Sequence, residues 1–263
     1  MLSTPPSKKR ASDMTCEELR SELRVFKRKV TGNKDELISR LDSVFQTNDR
    51  GWARRGQQKC SGQEYLASGE FRDVFLQTYT KGPRKGQNAV WKEFKTGAVY
   101  ENRFFAEDVK AVDKASDLIR AFNNSKGFRI YLNKPEIWHK ESSGQKGLVE
   151  PHLPEFKKFN SNTGWSAEGH PVMQALSHHS FASSGGHYLL CDLQGEYCNG
   201  NYVLTDPVVL SKSGEFGATD GGETAMASFF AHHRCNGLCH GLPKVQSARP
   251  AFQARSGTTF FRR

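Results

Sequence analysis

The chain has 263 residues, 36% hydrophobic and 25% charged, enough to bury a sizeable core in one or two domains. Its 38 basic residues against 28 acidic ones leave a formal charge of +10, which favours polyanionic partners such as nucleic acid, nucleotides or acidic protein surfaces. No apolar run approaches the ~18 residues of a membrane span, no apolar segment follows the N-terminal basic cluster, and six uneven cysteines do not make a disulfide scaffold, so a soluble, intracellular protein with no membrane partner is expected.

Residues 1–12 are rich in Pro, Ser and Lys without apolar periodicity and read as a disordered basic lead, in which Pro5 to Arg10 is either a short nuclear-localisation signal or a solvated tail. Residues 13–47 predict two short helices. Thr15 and Glu18 have capping-box spacing, and Leu19, Leu23 and Phe26 follow at helical intervals. Gly32-Asn33 breaks the pattern, and Leu37, Ile38, Leu41 and Phe45 define the second helix. Residues 48–66, rich in Gly, Gln, Asn and Arg, read as a linker. The chain then turns globular. Residues 69–79 alternate like a strand, 81–86 make a turn and 89–94 return; 105–123 carry a helical period with Val109, Val112, Leu118, Ile119 and Phe122 inward. Further strands are expected at 128–132, 146–150, 187–191 and 202–205, an α+β layout.

Several positions suggest phosphoryl transfer. Lys92 lies mid-strand between Val90 and Phe94, where a lysine reaching nucleotide phosphates would be, although a strand lysine is commonly an exposed edge residue. Asp192 and Asp206 each follow an apolar strand, placed to hold Mg²⁺ or orient a hydroxyl nucleophile; the plainer reading is a turn-forming terminator. The Gly-rich run from Gly217 to Gly222 offers backbone amides to an anion. His233-Arg-Cys235-Asn-Gly-Leu-Cys239 puts three zinc-type ligands within seven residues, and on a helix both thiolates would share a face. Spacing alone leaves the fourth ligand open among His178, His179, His232, His240 and Cys191, and a pair of buried free cysteines is the alternative.

The ordered series Gly69-x-x-Arg72, VWKEF, VEPHLPEFKKFNSNTG, QALSHHSF, DLQG, LTDP and FGATDGGETAMASFFAHHRCNGLC resembles the alpha-kinase family of atypical Ser/Thr protein kinases. The segment CEELRSELRVFKRKVTGNKDELISRL resembles a SAP domain. The resemblance implies a two-lobed kinase-like domain over 67–243 with a zinc site in its second lobe, a SAP-like module over 13–47 and a basic C-terminal tail over 244–263. It implies Lys92 as the phosphate-holding lysine, Arg72 as the arginine on the preceding strand, and Glu150 as the acid contacting adenine, with Leu153 beside it. Asp192 becomes the catalytic aspartate and Gln194 and Asp206 the Mg²⁺ pair; Gly217 and Gly222 belong to the nucleotide-handling Gly-rich loop, and Asn160 and Asn162 to the family's Asn-rich stretch. His178 joins His233, Cys235 and Cys239 as ligands of a structural Zn²⁺. From SAP domains it implies duplex-DNA binding, with Lys27, Arg28, Lys29, Asn33, Lys34 and Arg40 on phosphates.

Three departures from the family pattern stand out. Asp220 occupies an Asn position and brings a negative charge to the Gly-rich loop; residues 195–205 exceed the compact turn and are expected to bulge; Pro154 and Glu155 replace Gly. The expected activity is ATP- and Mg²⁺-dependent phosphorylation of Ser or Thr in a protein substrate, nuclear or cytoplasmic. The rival expectation is a weak or dead kinase-fold scaffold that binds nucleic acid, and for residues 13–47 a protein-docking hairpin.

Overall fold

A computed structural model of the chain describes residues 14–25, 29–40, 59–69, 72–95, 98–140, 145–198, 200–243, 245, 249–259 and 261. The expected lead over 1–12, Phe26, Lys27, Arg28, Leu41, Phe45 and residues 48–58 of the expected linker lie outside these. The chain divides into two compact units, residues 1–106 with 135–152 and residues 107–134 with 153–263.

The first unit opens on a helical pair. In α1, Cys16–Val25, the capping box is closed in both directions: the Thr15 amide donates to Glu18 Oε2 at 2.7 Å and the Glu18 amide to Thr15 Oγ1 at 3.3 Å. The second helical segment, α2, is described over 34–40 and is capped in the same way by Asn33 and Glu36. Between them Gly32 has φ +131°, and a Cβ there would lie 2.3 Å from Glu36 Oε2. Leu19, Leu23 and Leu37 are fully buried against Met14, Val30 and Ile38, a small core consistent with the leucine spacing. Two expected phosphate contacts have other work. Asn33 caps α2, and Arg40 donates to the carbonyls of Lys29 and Thr31, both at 2.8 Å, tying down the inter-helix loop.

The rest of this unit is a sheet in the order β1-β2-β3-β6-β5, from β1 (Lys59–Ser68), β2 (Arg72–Lys81), β3 (Asn88–Phe94), β5 (Glu136–His139) and β6 (Lys146–Pro151). β1 corrects the linker reading over 59–66. It is an edge strand with irregular register that leaves Tyr65 and Leu66 exposed, so burial imposes no apolar alternation on its sequence. β3 is the buried centre, and a Cβ at Gly147 on β6 would lie 2.4 Å from the Trp91 ring, so the glycine makes room for it.

The helical period of 105–123 belongs to α3, Ala98–Lys126, whose residues from 107 on are part of the second unit and bury Val112, Ala115, Leu118, Ile119 and Phe122. The helix stops at Gly127 (φ +72°), and the Asn123 amide clasps both backbone groups of Ile130 at the start of β4, Ile130–Leu132. A sheet in the order β4-β10-β9-β7 combines it with β7 (Lys157–Lys158), β9 (Gln194–Cys198) and β10 (Asn201–Thr205). β8 (Tyr188–Cys191) pairs antiparallel with β11 (Val208–Ser211), and α4 (Pro171–Ser183) and α5 (Gly222–His232) complete the unit. Met173 and Leu176 of α4 pack with Leu190, Leu193 and Val209 in one cluster; Met226 and Phe229 of α5 pack with Leu189 and Leu210 in another.

The expected bulge over 195–205 does not occur. β9 and β10 form a regular antiparallel pair, with Cys198 opposite Asn201 and Gln194 opposite Thr205. Gly195 has φ +145°, and a Cβ there would lie 2.0 Å from the Val203 carbonyl oxygen, so only glycine permits this close pairing. The added residues therefore lengthen two paired strands and leave the ends at Gln194 and Asp206 aligned.

Candidate active site and metal centre

In the first unit, antiparallel register places Arg72 opposite Phe94, Val74 opposite Lys92, Val90 opposite Glu150 and Lys92 opposite Leu148. The period of two puts Arg72, Lys92 and Glu150 on one face. Lys92 is not an exposed edge lysine: it is 6% exposed and pairs with the Glu150 carboxylate at 2.5 Å. A pair this deep persists only because each charge compensates the other. The Arg72 guanidinium lies over the Phe94 ring, 4.7 Å from its centre. Leu153 belongs to the second unit, where it is half-buried.

In the second unit, Asp192 leaves the end of β8 with φ +58° and Asp206 leaves β10 with φ +46°. They are the only non-glycine residues with positive φ among the described residues. Aspartate tolerates this region better than most residues, yet two such positions at two expected functional aspartates mark a backbone bent to aim side chains. Asp192 is 1% exposed; its Oδ1 accepts from Lys158 Nζ at 2.8 Å and from the Asn162 amide at 3.3 Å. Lys158 is a residue that sequence reasoning missed, although it stands two positions before Asn160 in the same motif. The Asn-rich stretch is a fully buried brace. Asn160 donates to Ser177 Oγ at 2.9 Å and accepts from the Leu193 amide at 2.8 Å, fixing the backbone just after Asp192. Gln194 Nε2 lies 3.5 Å from the Asp206 carbonyl, so the hairpin brings the two expected Mg²⁺ residues side by side.

The Asp220 expectation is corrected. Its carboxylate turns inward at 1% exposure and accepts from the amides of Ser211, Phe216 and Gly222 and from Ser211 Oγ at 2.6 Å. It stitches the Gly-rich loop to β11 instead of presenting charge to a ligand, and it takes up the Gly222 amide that the anion-cradle reading relies on. Gly217, at φ +81°, is where a Cβ would lie 2.5 Å from Glu107 Oε2.

The His/Cys cluster is brought together as expected, by a different local structure. α5 ends at His232, His233 is extended, Cys235 lies in an irregular segment and Cys239 closes a short 3-10 turn over Gly237–Cys239. A shared helix face for the thiolates is therefore corrected: Gly237 and the Asn236 cap break the helix. The ligand atoms of His178, His233, Cys235 and Cys239 all lie within 4.8 Å of one another. Both imidazoles are oriented from behind. His178 Nε2 donates to the Pro243 carbonyl at 2.8 Å, leaving Nδ1 3.4 Å from Cys235 Sγ; His233 Nδ1 lies 3.4 Å from Gln174 Oε1, turning Nε2 toward Cys239 Sγ at 3.9 Å. The other candidate ligands stand apart. Cys191 is in β8, its thiol pushed well up by burial, and then by the Asp192 and Asp220 charges. His232 bonds the Phe252 carbonyl, His240 is exposed, and His179 is held toward its neutral form by burial first and by Lys126 second.

The expected tail also folds. Phe252 exchanges backbone hydrogen bonds with Ser228 Oγ, and Phe261 packs into the cluster around Met226 and Phe229. A Cβ on Gly221 would lie 2.6 Å from the Phe261 ring, so this glycine makes room for it.

These features agree with comparisons to known proteins. The alpha-kinase family model matches residues 67–239, more than half of the chain, and the SAP domain model matches residues 10–44. Alpha-protein kinase vwkA of Dictyostelium discoideum is 32% identical over 110 residues, 41% of this chain and 18% of that protein. Transient receptor potential cation channel subfamily M member 6 of Mus musculus is 38% identical over 140 residues, 48% of this chain and 7% of the relative. The chain thus spans less than a fifth of either relative. The crystal structure of the alpha-kinase domain of myosin-II heavy chain kinase A in complex with AMP-PNP has a similar fold, with TM-score 0.60 at 23% identity, covering 69% of this chain and 86% of that domain. No helix among the described residues is long and apolar enough to cross a membrane. With its aspartates at two strand ends, its buried lysine on the central strand and its sequence matched over 67–239, the chain belongs to the alpha-kinase family.

Proposed function

We propose that the chain transfers the γ-phosphoryl group of ATP to Ser or Thr of a protein substrate. The observation that carries this reading is the setting of Asp192: a buried, backbone-strained carboxylate held by Lys158 and the Asn162 amide, two residues before Gln194, which has Asp206 beside it. Asp192 orients the acceptor hydroxyl and takes its proton, and Lys158 balances charge next to it. Lys92, kept in place by Glu150, is the phosphate-binding cation, with Arg72 and Glu150 on its face; of the second unit's residues, Leu153 and Gly217 keep their nucleotide assignment, whereas the Gly222 amide is taken up by Asp220. Gln194 and Asp206 would hold Mg²⁺, which offsets phosphate charge when bound. That myosin-II heavy chain kinase A has been crystallised with ATP and with AMP-PNP supports the nucleotide assignment. The test is incubation of the full chain with Mg·ATP and a generic protein acceptor, followed by phosphoamino-acid analysis. Phosphoserine or phosphothreonine is expected; a clean, folded preparation that labels nothing would reject the reading.

His178, His233, Cys235 and Cys239 fit a closed structural Zn²⁺ site: four borderline-soft donors converge, and both histidines are oriented by a second partner. The domain boundaries follow the same reading, with SAP-like residues 13–47 ahead of a kinase domain whose packing continues beyond residue 243 to Phe261.

The SAP-like module binds duplex DNA, and supporting this are its family match and the exposed Lys29 and Lys34 flanking the Gly32 turn. Such tethering would place the kinase in the nucleus. The full chain is expected to bind a duplex at roughly micromolar Kd, weakening steeply with salt. Substituting Lys29→Ala with Lys34→Ala should reduce the salt slope by roughly one per lost contact. Absence of salt-dependent binding at low ionic strength would favour a protein-docking hairpin instead.

A further inference from the structure

The segment from Arg255 to Thr259 runs against Asp192 and its neighbours. Thr258 Oγ1 donates to Asp192 Oδ2 at 2.6 Å and accepts from Lys158 Nζ at 3.1 Å. The next residue is held as a strand partner would hold it: the Thr259 amide donates to Asn162 Oδ1 at 2.9 Å, and Asn162 Nδ2 donates to the Thr259 carbonyl at 2.6 Å. The Arg255 amide and carbonyl bond Thr163 Oγ1 at 3.1 and 3.2 Å. Both ends of the segment are anchored, Phe252 to Ser228 and Phe261 by its amide to the Ala218 carbonyl at 2.9 Å. This is a peptide bent at Ser256 and Gly257 and gripped through its backbone on either side, with one hydroxyl presented to the carboxylate that the proposed function makes the proton acceptor.

We propose that Thr258 is the chain's own phosphoryl acceptor and that residues 255–259 are a tethered substrate seated in the acceptor site. The inference rests on the kinase reading of Asp192. The hydroxyl proton already points at Asp192; one oxygen lone pair faces Lys158 and the second is left for phosphorus. In the step, a bond forms between Thr258 Oγ1 and the γ-phosphorus of ATP while the bond from that phosphorus to the β,γ-bridging oxygen breaks. ADP departs with the electron pair, and the hydroxyl proton passes to Asp192 and then to solvent. The product places a phosphate of nearly two negative charges against the Asp192 carboxylate, and this repulsion releases the segment and frees Asp192 for other acceptors.

The test uses the full chain, first stripped of phosphate by a phosphatase that is then removed. On adding Mg·ATP, phosphate is expected on Thr258 by mass spectrometry, at a rate unchanged by ~10-fold dilution because the acceptor is tethered. Thr258→Val should lose that label, and wild-type phosphorylation of an added protein acceptor should show a lag that the valine variant lacks. Transfer to the added acceptor with no phosphate on Thr258 would overturn the inference and leave the kinase reading standing. Labelling of Thr258 that slows with dilution would overturn the intramolecular step. Failure to phosphorylate either acceptor would overturn both readings.

Discussion

Asp192→Asn is expected to lower phosphotransfer at least ~10²-fold with little change in thermal unfolding. Asparagine tolerates the left-handed backbone at φ +58°, keeps an oxygen for the Asn162 amide and matches aspartate in shape, but it cannot take a proton. Asp192→Ala should abolish transfer to the same degree, at an additional cost in stability, because it also removes the oxygen that accepts from the Asn162 amide and puts a residue with no polar side chain at φ +58°. Lys92→Ala is a poorer probe. Removing the ammonium breaks a buried ion pair whose carboxylate is 2% exposed, a loss on the order of 3–5 kcal/mol, so inactivity there would report unfolding as readily as chemistry. Initial rates and melting curves on matched preparations separate these cases, and wild-type turnover in a folded Asp192→Asn protein would remove Asp192 from the mechanism.

What the sequence made legible follows from where burial acts on it. β3 and β8 are apolar because both are buried, and the helical period over 105–123 is the inward face of α3. The capping box at Thr15 was readable because its two side chains bond within one turn. β1 was not, since an exposed edge strand carries no compulsory alternation. Residue types also underdetermine roles. Asn33, Arg40 and Asp220 looked like ligand contacts, yet they bond backbone groups of nearby segments, and Asp220 the Ser211 hydroxyl as well, visible only once the loops are closed. The Lys158, Asp192 and Thr258 arrangement joins residues as much as 100 positions apart, and no local pattern announces it. Three of the four metal-type ligands were legible from their local spacing, and the family resemblance supplied His178 where spacing left five candidates open.

Zinc gives the second large expected effect. Purified protein should carry about one Zn²⁺ per chain, because four donors within 4.8 Å leave no place for water, as in closed structural sites. The cluster fastens elements distant in sequence: His178 in the middle of α4, His233 just after α5, and Cys239 buried in the turn that follows. Binding energy at such a site is folding energy, since the unfolded chain does not preform it. Cys239→Ala removes a buried ligand and should yield insoluble or strongly destabilised protein. Cys235→Ser, at an exposed position, should fold in part while losing metal and melting well below wild type. Gln174→Ala tests the orientation of His233 without touching a ligand atom, and should weaken zinc affinity about 10- to 100-fold, the usual effect of removing an outer partner. Metal analysis and melting curves before and after treatment with a strong chelator read all three. Soluble, active wild-type protein without zinc, whose melting the chelator leaves unmoved, would show that the four residues hold this corner together by their own contacts alone.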